Sequence, residues 1–193
     1  MPTSKEAPSA RQQELLERAY TYSLSHGLAD LSLRPLATAI GSSPRVLLFL
    51  FGSKDGLIRA LLARARTDEL DLLRRLDQRY DEPPGLAVVA RELWTWLAAP
   101  ERRPLMKFWV EAYGRSLVAP DGPWADYGKS TVDDWLELLK ASQPDPGSPE
   151  AEARRTGVLA MLRGALIDLL ATGDLDRTTA AVEDYLGGES RTT

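Results

Sequence analysis

Arg34, Ser42, Ser43, Arg45 and Lys54 are the residues whose types and spacing could do chemistry, and all lie in one run, LSLRPLATAIGSSPRVLLFLFGSK, from Leu31 to Lys54. A guanidinium is a planar fork of donors that suits both a phosphate and the edge of a guanine. A lysine beside the free N–H groups of a helix start can hold a phosphate. Serines in such places either cap a helix or donate to a ligand. The plain alternative is solvated cations and serines that only cap.

The positions of these residues follow from two short helices around a tight turn. Ser32 can cap the first, and Leu33, Leu36, Ala37 and Ile40 recur at helical spacing. Pro35 falls in its first turn, and Gly41 follows the last apolar position, where a left-handed residue commonly ends a helix. Ser43 then caps a second helix with Pro44 as its first residue. Helix, turn and helix form the helix-turn-helix unit, whose second helix lays Ser42, Ser43, Pro44 and Arg45 near base edges. That helix continues as Val46-Leu47-Leu48-Phe49-Leu50-Phe51, without a polar side chain. Leu47 and Phe51 suit the core, while Leu48 and Phe49 point elsewhere and should be partly exposed. Phe49 can press on a thymine methyl but cannot bond a phosphate. Either Arg34, Arg45 and Lys54 carry most of an affinity for DNA, or this surface meets a protein instead.

Composition agrees with the first option once the chain is divided. The 193 residues carry a net charge of −4, but residues 1–66 hold +4 and the remainder −8. A cationic head therefore precedes an anionic body. The chain has no Cys and one His, which leaves no disulfide, no Cys–His pair and no usual zinc site. His26 is expected at the solvent-facing end of the first helix. No apolar run approaches the length of a membrane span, MPTSKEAPSARQQ is not a signal peptide, and a cytoplasmic location is expected. Asp133-Asp134 and Glu150 with Glu152 read as solvated helix faces, and no glycine-rich phosphate loop is present. No catalytic residue, metal or cofactor is expected.

The rest of the chain reads as helix nearly throughout, giving an all-α fold of about nine helices. Ser9 and Gln12 form a capping-box pattern for a first helix that Gly27 stops. Ser53 caps a long helix to about Tyr80, and further helices are expected over Leu86–Ala98, from Pro104, over Trp124–Lys140, Glu150–Ala171 and Arg177–Leu186. Pro120-Asp121-Gly122-Pro123 reads as a turn and SQPDPGSP, residues 142–149, as a loop. The residues from Gly187 on read as a disordered tail. All five tryptophans, Trp94, Trp96, Trp109, Trp124 and Trp135, lie in this second part. With Met106, Phe108, Tyr113, Tyr127 and Met161 they either fill a core or line an apolar cavity. Asp168, inside an apolar run, could bind a ligand, pair with an arginine or sit at a subunit seam. Ala153, Gly157, Ala160, Gly164 and Ala171 form a small-residue strip that admits a second helix, from the same subunit or another.

The N-terminal pattern resembles the DNA-binding domain of TetR-family transcriptional regulators. The matching residues are Gly27, the stretch Leu31–Ala37, Gly41, Leu47, Phe51 and Ser53-Lys54-Asp55. The resemblance implies a DNA-binding head over residues 1–54, a helical ligand-binding and dimerisation body over 55–187, and a tail over 188–193. It also implies a base or phosphate contact for Arg34. Double-stranded DNA, a second copy of the chain and a small-molecule effector are the implied partners, with no membrane. The aromatic set, with Trp94, Phe108, Trp109, Tyr113, Trp124, Tyr127, Met161 and Asp168 as candidates, would then line an effector cavity. Gly157, Ala160, Gly164 and Ala171 would face the partner subunit. The function implied is a ligand-released repressor of a pseudo-palindromic operator. The alternative is a helical ligand- or protein-binding dimer whose apolar third helix has weakened DNA recognition.

Overall fold

The computed structural model describes residues 9–28, 31–119 and 121–189. Among them are nine α-helices and no strand. Helix α1 (Ala10–His26) starts at Ser9, whose Oγ accepts from the Gln12 N–H at 3.2 Å. The expected capping box is only half formed. The Gln12 side chain instead donates to the Leu50 carbonyl at 2.9 Å, joining α1 to the end of α3 (Pro44–Phe51). Helix α2 (Leu33–Ala39) is preceded by Ser32, which has an extended backbone but makes no side-chain cap, contrary to expectation. The chain then turns at Gly41, with φ 69°. Ser43 caps α3 through the Val46 N–H, and Pro44 occupies its first turn.

Ser53 caps α4 (Lys54–Asp77) through the Gly56 N–H at 2.9 Å, and Asp55 suits the positive end of the helix. This helix, about 36 Å long, runs from the head into the body and ends before Tyr80. Its buried side holds Leu57, Leu61, Ala65, Leu72 and Leu76, as its periodicity requires. The body adds α5 (Leu86–Ala98), a 3₁₀ turn (Pro100–Arg102), α6 (Arg103–Val118), α7 (Tyr127–Ala141), α8 (Pro149–Thr172) and α9 (Leu175–Glu189). Helix α7 begins later than the sequence suggests, because the chain from 121 to 126 turns and Asp126 adopts a left-handed φ of 61°. Helix α9 continues through Gly187 and Gly188, which the sequence placed in a tail. Residues 190–193 of that tail, the N-terminal eight read as lacking a signal, and Pro120 lie outside the described residues.

One core runs through head and body. Phe108 of α6 is 1% exposed and meets the Tyr20 ring of α1 edge-on at 5.7 Å; burial of such a ring stabilises by about 1.5–3 kcal/mol. Beside it, the Leu28 N–H donates to Glu111 Oε2 of α6 at 2.8 Å. Arg66 of α4 pairs with Asp134 of α7. Among the described residues, no helix is long and apolar enough to cross a membrane.

Candidate nucleic-acid interface and ligand cavity

The caps of α3 and α4 fix the outer surface of the head. Arg34, Arg45 and Lys54 are exposed, and among the described residues none of the three is held in an ion pair. The other head arginines differ: Arg11 and Arg18 pair with Glu14, and Arg64 with Glu17. Arg59 of α4 is likewise exposed and in no ion pair among the described residues, so the helix-turn-helix and the start of α4 together carry the uncompensated charge. Ser43 accepts from a backbone N–H, and the Ser42 hydroxyl is buried with no hydrogen-bond partner among the described residues. Pro44 is half-buried. On α3, Leu47 is buried and Phe51 half-buried, while Val46 and Leu48 are 38% and 42% exposed and Phe49 is 85% exposed. The surface offers charge for phosphate and hydrocarbon, rather than amide or hydroxyl, for a base edge.

In the body, α5, α6, α7 and α8 line a cavity of about 130 Å³ that opens to solvent beside the exposed Ile167. Of the expected ligand residues, Trp109, Tyr113 and Tyr127 line it. Trp94 lies elsewhere and donates to Thr179 of α9 at 3.0 Å. Phe108 faces the head, Trp124 is buried in the turn before α7, and Met161 packs half-buried against the core. Asp168 stands outside the cavity, where Arg177 holds it with two bonds of 2.8 and 2.7 Å and lowers its pKa. The wall also contains Trp135, Thr131 and Arg163, the last two not singled out by the sequence. Trp109 stacks on Trp96 at 5.5 Å and meets Trp135 edge-on at 6.2 Å.

Behind Trp135 lies Glu69 of α4, with no exposed surface. The Trp135 indole donates to Glu69, and burial pushes the carboxyl pKa up from 4.5 to about 7. The sequence signal was there: Glu69 falls between Ala65 and Leu72–Leu73 at the spacing of the buried side. A larger groove of about 420 Å³ lies at the start of α5, but the buried Gln143 in its wall already bonds Ala151 and Arg155.

The strip of small residues on α8 divides. A Cβ on Gly157 would lie 2.7 Å from the Tyr185 hydroxyl of α9, so that glycine serves packing within the subunit. Ala160, Gly164 and Ala171 are exposed, and Ile167 between them is 55% exposed. His26, at the end of α1, is exposed and stacks on Tyr22 at 3.8 Å. Among the described residues, no group of His, Cys, Asp and Glu could hold a metal ion.

No family model matches the chain. The HTH-type transcriptional regulator BetI 1 of Chromohalobacter salexigens is 26% identical over 183 residues, which covers 91% of this chain and 88% of that protein. A TetR transcription regulator from Haloarcula marismortui superposes with a TM-score of 0.72 at 18% identity, covering 90% of this chain and 93% of the other. The multidrug binding protein EbrR, solved with imidazole, gives a TM-score of 0.65 at 19% identity, with 95% and 96% covered. From α1 to α9 the chain has the fold of the TetR-family regulators it superposes on.

Proposed function

We propose that the protein is a ligand-responsive, DNA-binding transcriptional regulator that works in the cytoplasm as a homodimer. The observation that carries this reading is the set of cations Arg34, Arg45 and Lys54, unpaired among the described residues and exposed on the helix-turn-helix, within residues 1–66 that carry +4. Residues 1–54 would form the DNA-binding head and 55–187 the body. Two third helices, presented by two subunits, would enter successive major grooves of a pseudo-palindrome about 34 Å apart. The exposed Ala160, Gly164, Ile167 and Ala171 of α8, next to α9, supply a face for a second copy. A small hydrophobic or aromatic ligand in the body would favour the wrong spacing of heads and release the operator, making the protein a repressor.

The test is selection from random duplex DNA, followed by titration of the winners at two salt concentrations. A palindromic site with steeply salt-dependent affinity supports the reading. Arg34→Ala should then weaken binding by about 1–3 kcal/mol with the dimer intact. The exposed Val46, Leu48 and Phe49 favour a second reading, a ligand- or protein-binding dimer without sequence recognition. A well-folded dimer that enriches no sequence would select it.

A further inference from the structure

The cavity between α5 and α8 has the size of one ring. At about 130 Å³ it is close to the engineered apolar cavity of about 150 Å³ that takes up benzene. Trp109, Tyr113, Tyr127 and Trp135 stand in its wall, a lining that favours a flat aromatic guest. The polar groups of the wall have a common character. Arg163 Nη2, Thr131 Oγ1 and Trp109 Nε1 are buried, all can donate, and none has a hydrogen-bond partner among the described residues. Trp109 is 8% exposed, so its N–H is held inside the body without an acceptor.

A buried donor without an acceptor is costly, and another donor cannot relieve it. The guanidinium of Arg163 lies over the Tyr113 ring at 5.0 Å, and the wall contains no carboxylate. Glu69, behind Trp135 and outside the wall, is the acidic group that acts on Arg163; one of its oxygens accepts from the indole and the other is buried without a partner among the described residues. Arg66 and Asp134, which also act on Glu69, pair with each other. The wall therefore presents a positive charge and two neutral donors to whatever the ring carries.

We infer that the cavity binds a single-ring aromatic acid, with its ring among Trp109, Tyr113, Tyr127 and Trp135 and its carboxylate on Arg163. Trp109 and Thr131 supply further donors. The inference rests on the reading of the body as a ligand-binding domain and needs no DNA for its test. The full chain is titrated with benzoate, benzyl alcohol and benzylammonium at neutral pH, followed by tryptophan fluorescence and by calorimetry.

Benzoate should bind at least tenfold more tightly than benzylammonium. Arg163→Gln should remove at least tenfold of benzoate affinity while changing benzyl alcohol little. Trp109→Phe keeps an aromatic ring in the wall, deletes the N–H and should weaken benzoate more than benzyl alcohol, which reports the void alone, so the test survives if Arg163→Gln does not fold. Equal binding of the three probes, or benzoate affinity untouched by both substitutions, would overturn the acid and leave the ligand-binding body standing. Binding of none of the probes would overturn the aromatic guest itself, and with it the small aromatic effector.

Discussion

Burial strips the Glu69 carboxylate of water, and Trp135 and Arg66 restore only part of the stabilisation its charge loses. Its pKa in the fold, about 7, lies above the ordinary 4.5. Between those values the native state keeps a proton that the unfolded chain releases, so stability is full at low pH and falls as pH rises through this window. The span is worth about 3 kcal/mol. Denaturant midpoints should decline from pH 5 to pH 7.5, and Glu69→Gln, which keeps an oxygen for Trp135, should flatten that decline. Parallel slopes for the two proteins would remove Glu69 as the cause. Phe49 of α3, by contrast, is 85% exposed. If α3 reads DNA through hydrocarbon, each thymine methyl it covers contributes about 0.8 kcal/mol. Deoxyuridine in place of thymine in a selected operator should weaken binding by that amount per site, and Phe49→Ala should erase the difference. An operator indifferent to the methyl groups would assign recognition to Arg45 and the cations.

Helix boundaries were legible where the signal is local. Ser43 with Pro44, and Ser53, each cap the helix that follows, because a serine hydroxyl needs only the N–H three residues on. Signals that tertiary contacts could redirect were not: Gln12 leaves its own cap for the Leu50 carbonyl, and Asp126 turns left-handed to delay α7. The same limit hid the cavity. Helical spacing places Trp94, Phe108 and Trp109 on buried faces, but only the packing of α6 between head and body sends Phe108 one way and Trp109 the other. Glycines show the difference between local and tertiary demands most directly. A Cβ on Gly56 would lie 2.0 Å from the Phe51 carbonyl oxygen, so α3 and α4 could not meet as they do. Gly56→Ala should cost about 1–3 kcal/mol in thermal or chemical unfolding. Gly114, inside α6, has open space where its Cβ would be, and Gly114→Ala should stabilise by about 0.5–1 kcal/mol. Equal effects of the two substitutions would refute the close approach at α3–α4.

Across the whole molecule, α6 is the element with one face on each region. It gives Phe108 and Glu111 to the head, and Trp109, Val110 and Tyr113 to the cavity. Helix α4 makes a second link, since Glu69 bonds Trp135 of the cavity wall while Ser53 and Lys54 open the same helix beside α3. A guest that displaces α6 therefore acts on the Leu28 N–H through Glu111, at the exit of α1 toward the helix-turn-helix. In the proposed regulator such a guest would shift the spacing of heads only by its difference in affinity for the two arrangements, and DNA would alter guest affinity by the same factor. Glu111→Ala removes the acceptor and should shrink that factor several-fold, read as the ratio of operator affinities with and without the guest. Guest affinity of the free protein, measured by tryptophan fluorescence, should stay within about twofold, because Glu111 is not in the cavity wall. An unchanged ratio would assign the coupling to α4 alone, with Arg66 and Asp134 as the next pair to break.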